Sequence, residues 1–393
     1  MIIEPKVKGF ICTTAHPDGC RENVKRQITY IKDAVKNADL SNGIQPKKVL
    51  VLGASTGYGL ASRIAATYIY GASTIGVMFE KPSNGRRTAT PGWYNTQAFD
   101  EFAKEDGYYS CSINGDAFSK EIKEQTIAQI KKDLGQVDMV IYSLAAPRRT
   151  TADGTSYTSV LKTTSSDFTN KSWNLKDDTI TEATITPATE DEITSTVKVM
   201  GGEDWIDWMT ALSDAGVLAE NAVTIAYSYI GPKLTYPVYF NGTIGMAKKH
   251  LYDSSLKINE LLKDHGIKAY ISVNKALVTQ ASSAIPIVPL YFTILYKVMK
   301  EKGLHEGCIE QIGRLFIEKL SKDVPETDAE GRIRMDDYEM REDVQKEVMN
   351  IWDSVTTENL KEVADLDGYW DDFYHMFGFR FDNVDYSKDI PLE

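Results

Sequence analysis

Tyr239 and Lys248 stand nine positions apart in Tyr239-Phe240-Asn241-Gly242-Thr243-Ile244-Gly245-Met246-Ala247-Lys248, and a phenol near an ammonium can serve as an acid catalyst. A positive charge close by lowers a phenol's pKa from its usual value near 10 and makes it a better proton donor to a developing oxyanion. The pairing demands a particular backbone. On one continuous helix, nine steps of about 100° would put the two side chains on opposite faces. Asn241-Gly242 breaks the helical pattern and Thr243 is a good N-cap, so a helix is expected to begin there, with Tyr239 in the preceding loop and able to converge on Lys248. The plainer alternative is a surface lysine and a half-buried tyrosine. Tyr229 belongs with them: it closes the apolar run Ala222-Val223-Thr224-Ile225-Ala226-Tyr227-Ser228-Tyr229-Ile230-Gly231, and parallel sheets place their chemistry at the carboxyl ends of strands.

A second constellation binds rather than reacts. In Val49-Leu50-Val51-Leu52-Gly53-Ala54-Ser55-Thr56-Gly57-Tyr58-Gly59-Leu60 an apolar run meets three glycines within seven residues, and a helical pattern follows. Such a loop lets the backbone approach an anion while free N–H groups and the helix dipole face it, so residues 53 to 59 are expected to seat a phosphate. An ordinary strand-to-helix turn is the competing reading. The spacing, Gly-x3-Gly-x-Gly, departs from the commoner Gly-x-Gly-x2-Gly and points to the short-chain dehydrogenase/reductase variant of the dinucleotide fold.

Further cofactor candidates follow at strand ends. Phe79 and Glu80 close a second apolar run, where an acid accepts hydrogen bonds from the adenosine ribose and repels a 2′-phosphate, favouring NADH over NADPH. Arg86 and Arg87, close by, could accept a phosphate instead. Asp116 is placed to meet an adenine amino group and Ala117 a ring nitrogen. Leu144 and Ala145 open a fourth strand into small residues, and Leu277, Val278 and Thr279 follow a sixth, where reductases of this kind contact the nicotinamide carboxamide.

The elements required to hold these residues are legible as an alternation. Apolar runs near residues 49, 74, 108, 137, 222 and 269 are separated by stretches of helical periodicity, which predicts an α/β fold with a Rossmann-type doubly wound parallel sheet. The whole chain, 1–393, is read as one large NAD-binding reductase domain. Within it, 1–45 is an attachment (Val7, Phe10, Ile11, then a helix carrying Val24, Ile28, Ile31 and Val35). Residues 148–196, rich in Thr and Ser, form an excursion of loops and short strands, and 284–393 supplies substrate-side and C-terminal helices. In that last part Ile285-Pro286-Ile287-Val288-Pro289 should start an aromatic-rich helix that could wall an acyl-chain pocket, though core packing fits the pattern equally.

Composition narrows the classes. With 393 residues, 42% hydrophobic and a formal charge of −12, the chain can bury a large core and lacks the basic face of a nucleic-acid binder. Its four cysteines are scattered, and His305 with Cys308 has no companion ligands, so no metal is assigned. No apolar run reaches the roughly 18 residues of a membrane span, and the N-terminus lacks a secretory pattern. A reducing cytoplasm is the expected compartment.

Taken together, the Gly53-to-Gly59 loop, Tyr142-Ser143-Leu144-Ala145-Ala146-Pro147-Arg148, Met200-Gly201-Gly202-Glu203-Asp204-Trp205, Tyr227-Ser228-Tyr229-Ile230-Gly231 and the Tyr-x8-Lys pair resemble the trans-2-enoyl-CoA reductase family and its relative, the FabV class of enoyl-ACP reductases, nearly end to end. Ordinary short-chain ketoreductases have Tyr-x3-Lys and other enoyl reductases commonly Tyr-x6-Lys. The resemblance implies a monomeric, NADH-dependent reductase of a carbon–carbon double bond conjugated to a thioester. By carry-over, Tyr239 is the proton donor, Lys248 holds the cofactor, Tyr229 contacts the substrate carbonyl and Glu80 selects NADH. An acyl-carrier-protein substrate is the alternative to CoA; that carrier is acidic and would want a basic portal, for which Arg148, Arg149 and Lys162 are the candidates. A dinucleotide-binding sensor or scaffold without catalysis is the alternative of another class.

Overall fold

Seven short runs of mostly aliphatic residues pair edge to edge as one parallel sheet in the computed structural model, which describes residues 1–9, 11–280, 282, 285, 287–322 and 324–391. They are β1 (Lys48–Leu52), β2 (Ser73–Met78), β3 (Ser110–Asn114), β4 (Val137–Tyr142), β5 (Leu218–Ser228), β6 (Lys268–Val273) and β7 (Ile333–Arg334). The spatial order is β3-β2-β1-β4-β5-β6-β7, and every neighbouring pair is parallel. The chain runs outward to β3 and then returns to place β4 beside β1. A crevice therefore opens above the carboxyl ends of β1 and β4, where open sheets of this order bind ligands.

Both faces of the sheet are covered, which is why the strands read as unbroken apolar runs. Period-two alternation sends Val49 and Val51 to one face and Leu50 and Leu52 to the other. On the first face pack α1 (Pro17–Ala34), α2 (Gly57–Tyr70), α3 (Pro91–Glu105) and, further on, the short helix Cys308–Arg314. On the second pack α4 (Lys120–Asp133), α6 (Glu203–Asp214) and α7 (Thr243–Leu261), with α5 (Glu190–Met200) against α7.

A third core gathers around α8 (Val288–Glu301), which carries Pro289 in its first turn and is buried on nearly every side. Numbering the Cys308–Arg314 helix α9, α8 is wrapped by α10 (Glu342–Ser354) and, after the single turn α11 (Leu360–Val363), by α12 (Leu366–His375). The hairpin Phe168–Asn174/Thr179–Ile185 lies across it and adds Trp173 edge-on to Tyr369. At about 1.5–3 kcal/mol for each large apolar side chain buried, this cluster is what fastens the C-terminal third to the sheet.

Local details correct the sequence expectations. β2, β3 and β5 end at Met78, Asn114 and Ser228, so Glu80, Asp116 and Tyr229 lie just beyond their strands. β7 was not anticipated, because two residues carry no periodicity. The excursion contains two hairpins, Arg148–Thr150/Ser156–Thr158 and the one above, and gives way to α5 at Glu190 rather than near residue 197. Gly201 and Gly202 separate α5 from α6, and Gly202 is bare because a side chain would strike Ser254 on α7. Phe10 and Pro286, named in the sequence reading, and position 284, where its last segment begins, lie outside the described residues.

Candidate active site

Above the β1 and β4 ends, the glycine loop packs directly on the chain leaving β4. A Cβ on Gly53 would sit 2.4 Å from the Ser143 carbonyl oxygen, and one on Gly59 would sit 1.9 Å from the Gly53 carbonyl oxygen. Gly57 faces open space and needs its glycine for a φ of 52°. No side chain caps α2, so its first-turn N–H groups and positive dipole end face the crevice. Leu144 packs against the loop, its Cδ2 lying 3.3 Å from where a Cβ on Gly53 would sit, and Ala145 follows it in the chain. The Tyr58 side chain turns away from the crevice: its hydroxyl donates to the Lys275 carbonyl at 3.2 Å and accepts from Gln311 at 2.9 Å.

Glu80 is held rather than free. Ser55 Oγ donates to its Oε1 at 2.6 Å, and its backbone N–H and carbonyl are both bound by the Asn114 amide at 2.8 and 2.9 Å. Gly92 leaves room for the carboxylate. Asn95 ties the same corner by donating to the Ser55 carbonyl at 3.2 Å. Beside it Phe79 is 76% exposed, an apolar face open to a flat ring. Arg86 and Arg87 are exposed in a turn of their own. Asp116 turns its carboxylate toward the Phe118 N–H at 2.9 Å, and the Ala117 carbonyl is taken by Trp208 at 3.1 Å. Leu277 and Val278 are buried, with the Val278 N–H donating to the Tyr296 hydroxyl at 3.0 Å and the Leu277 carbonyl accepting from Ser282 at 2.6 Å; Thr279 shares Ser282.

The reactive side of the site stands over β5. α7 begins at Thr243 as expected, but Gly242 is the cap residue, and the Thr243 hydroxyl instead donates to the Val160 carbonyl at 2.5 Å, pinning the helix to the excursion. Tyr239 sits in consecutive turns before it, and Gly245 is bare where that loop crosses: a Cβ there would sit 2.0 Å from the Phe240 carbonyl oxygen and 2.2 Å from that of Tyr239. Tyr239 and Tyr229 meet edge to face with centroids 4.8 Å apart.

Lys248 does not sit against Tyr239 as a charge partner. Its Nζ donates to the Tyr227 carbonyl at 2.9 Å. The Tyr239 phenol is therefore not acidified: burial, with the Glu339 carboxyl adding to it, pushes it above its ordinary range. This corrects the expectation of a lowered phenol, because the lysine finds a backbone acceptor near the end of β5 instead of the phenol. Burial in turn pulls Lys248 down to about 8. Among the described residues nothing hydrogen-bonds the Tyr239 hydroxyl, so its proton is free for a ligand.

Two groups escaped sequence reading. Glu339, fully buried, accepts from Tyr229 at 3.0 Å, from Tyr291 at 2.6 Å and from the Ala276 N–H at 2.7 Å. Lys275, also buried, donates to the Ala276 carbonyl at 2.9 Å and is pulled down to about 8 by burial. Glu339 comes from an acidic segment with no periodicity, and only tertiary packing brings it under the site. The portal argument also changes: Arg149 is buried and paired with Glu203 at 2.8 Å, and Lys162 pairs with Glu192 at 2.7 Å, leaving only Arg148 exposed without an acid. No group of three or more His, Cys, Asp or Glu is placed to hold a metal, and no helix is long and apolar enough to cross a membrane, among the described residues.

Comparison with known proteins bears on the whole chain. Residues 2–85 match the family model described as NAD(P)H binding domain of trans-2-enoyl-CoA reductase, 87–321 the trans-2-enoyl-CoA reductase catalytic region, and 327–390 an enoyl reductase FAD binding domain. An enoyl-[acyl-carrier-protein] reductase [NADH] of Cytophaga hutchinsonii is 57% identical over 99% of this chain and 98% of its own. A trans-2-enoyl-CoA reductase [NADH] of Ruminiclostridium cellulolyticum is 53% identical over 100% and 98%. The crystal structure of Treponema denticola trans-2-enoyl-CoA reductase in complex with NAD superposes with a TM-score of 0.96 at 48% identity, over 100% and 98% of the two chains.

The crevice residues fit a nicotinamide dinucleotide: bare glycines, an uncapped helix start and an oriented glutamate. Residues 327–390 do not fit a flavin. Their aromatic side chains Tyr369 and Phe373 are spent in the core. The helix starts there repel a pyrophosphate, since Asp365 caps α12 and Glu342 and Asp343 open α10.

Proposed function

The chain belongs to the trans-2-enoyl-CoA reductase family, and from that premise we propose that it reduces the carbon–carbon double bond of trans-2-enoyl-CoA thioesters to saturated acyl-CoA, with Tyr239 as the proton donor. The activity class, an NADH-dependent enoyl reductase, follows from the family. The assignment of roles is ours, and the observation that carries it is the meeting of Tyr229 and Tyr239 over the end of β5, with a Tyr239 hydroxyl that none of the described residues hydrogen-bonds.

NADH would supply the hydride that saturates the β-carbon. The chain's own groups do the rest. Gly53, Ala54, Ser55, Thr56, Gly57 and Gly59 with the start of α2 hold the pyrophosphate, Glu80 and Phe79 the adenosine, and Asp116 and Ala117 flank the adenine. Lys248 binds the nicotinamide ribose and carries a positive charge below about 8. Leu144, Ala145, Leu277, Val278 and Thr279 wall the ring. Negative charge that develops on the thioester oxygen is met by hydrogen-bond donors already in place, which is where such an enzyme gains most. Tyr239 is such a donor and gives its proton; Tyr229, whose hydroxyl donates to Glu339, joins it once that hydroxyl turns toward the crevice. A phenol kept high by burial holds that proton until an enolate, itself a strong base, arrives.

CoA is favoured over a carrier protein as the attached group because Arg149 and Lys162 are both neutralised, leaving no basic portal among those three residues. Steady-state reduction of crotonyl-CoA against crotonyl-carrier protein, each with NADH and with NADPH, tests substrate and cofactor together; a preference for the carrier protein overturns the CoA reading. We further propose that the chain acts as a monomer in the cytoplasm and as a single reductase domain, and that Tyr229, Tyr239 and Lys248 count against a sensor or scaffold.

A further inference from the structure

Glu339 is a fully buried carboxyl with three donors aimed at it. Tyr229, Tyr291 and the Ala276 N–H all point in, from the end of β5, from α8 and from the loop after β6. An ionised carboxylate only accepts hydrogen bonds. Tyr229 has one proton, and in this geometry it goes to Glu339, so Tyr229 shows only lone pairs to the crevice. In that state it cannot stabilise an oxyanion. A protonated Glu339 reverses the bond: its O–H donates to the phenol oxygen, and the Tyr229 O–H is released toward the site. Passing from the ionised to the protonated state takes up one proton on Glu339, and with it the direction of donation between Glu339 and Tyr229 changes.

We infer that Glu339 is a positioning residue that sets which way the Tyr229 hydroxyl proton points, and that the enzyme reduces its substrate from the state in which Glu339 carries a proton. The inference rests on the reading that Tyr229 meets the thioester carbonyl. The surroundings support the protonated state. Burial, the largest influence, raises the Glu339 carboxyl and Asp336 adds to it, while the hydrogen bonds from Tyr291 and the Ala276 N–H pull it down; Asp336 is itself tied by Arg334 at 2.6 Å. Lys275 opposes this from a distance, its Nζ being spent on the Ala276 carbonyl. Tyr58, Tyr229, Tyr239 and Tyr291 complete the titratable groups around it, and all four are driven up, toward the neutral form.

The test is kcat against pH for crotonyl-CoA reduction at saturating NADH, with the full-length wild type, E339Q, Y229F and the double variant, and NADH affinity followed by fluorescence. In E339Q the amide oxygen must face the Ala276 N–H, which leaves the amide nitrogen to donate to the Tyr229 phenol as the single O–H of the protonated acid would. We expect E339Q to keep kcat within about threefold of wild type at neutral pH and to lose the alkaline fall caused by Glu339 ionisation, while the fall due to Lys248 persists. Y229F, which leaves Glu339 untouched, should be impaired and lack the same limb, and the double variant should match Y229F. A wild-type pH profile in E339Q, or a loss beyond about tenfold with NADH affinity intact, overturns the inference. Undiminished kcat in Y229F instead overturns the Tyr229 reading beneath it. Should E339Q fail to bind NADH, the Y229F profile decides alone: a retained limb rejects the role of Glu339.

Discussion

The rings of Tyr229 and Tyr239 meet edge to face, with centroids 4.8 Å and planes 80° apart. One comes from the residue after β5 and the other from the turns before α7, so two chain segments deliver two phenols to one point. Edge-to-face aromatic pairs are worth about 0.5–1.5 kcal/mol beyond their buried area, enough to bias both rings toward this geometry before any ligand arrives.

Replacing Tyr239 by Phe keeps that ring contact and removes only the hydroxyl. Since a positioned proton donor contributes about 10²–10⁴-fold, Y239F should lose at least about a hundredfold in kcat. NADH affinity should stay unchanged, because no cofactor group depends on the phenol. Crotonyl-CoA turnover and NADH fluorescence titration give the two readings, and unimpaired turnover would remove Tyr239 from its role.

The Glu80 carboxylate is oriented by Ser55 at 2.6 Å, with its backbone fixed by Asn114. In E80A the hydrogen bonds to a ribose hydroxyl vanish together with the repulsion of a 2′-phosphate. Hydrogen bonds to charged groups are worth about 1.5–3 kcal/mol, so kcat/KM with NADH should fall about ten- to a hundredfold while use of NADPH improves. Steady-state kinetics with both cofactors measures the ratio, and an unaltered ratio would take selection away from Glu80.

Lys248, pulled down to about 8 by burial, carries its positive charge below that pH and loses it above. Binding that uses the ammonium is therefore fully present on the acid side and is lost as pH rises through about 8. NADH affinity of the wild type should decline across that range, while K248M should bind weakly at every pH with a flat profile. Fluorescence titrations at a series of pH values check the sign: a wild-type decline retained in K248M would assign the titration to another group, with Lys275 the first to examine.

Gly59 and Gly57 separate two uses of glycine. An alanine at 59 would put its Cβ 1.9 Å from the Gly53 carbonyl oxygen, whereas at 57 the space is open and only φ, at 52°, resists. G59A should abolish measurable NADH binding by displacing the loop. G57A should cost about 1–2 kcal/mol, the usual penalty for a non-glycine residue in the left-handed region. Calorimetric titration with NADH distinguishes the two.

Much of this was legible in the chain itself. Apolar runs ending at Gly53, before Glu80 and before Tyr229 announced a parallel sheet and the ends where ligands bind, because strand burial on both faces writes itself into consecutive residues. The break at Asn241-Gly242 announced the start of α7 at Thr243, because backbone propensity is local. Spacing failed where partners come from afar. It suggested that Lys248 would act on Tyr239, but the lysine found the Tyr227 carbonyl. It placed Arg149 and Lys162 at a portal, but each had an acid waiting in α5 or α6.

What the sequence determined, then, is the sheet, the glycine loop and the residue types proposed to react, since those rest on periodicity and on the chemistry of single side chains. What only the tertiary structure decided is the state of those groups. Burial sets whether Tyr239 holds its proton and Lys248 its charge, and burial is a property of everything packed around a residue. Glu339 shows the reason most directly: 110 residues along the chain from Tyr229, it becomes that residue's hydrogen-bond partner only because α8 and the loop after β6 close around both.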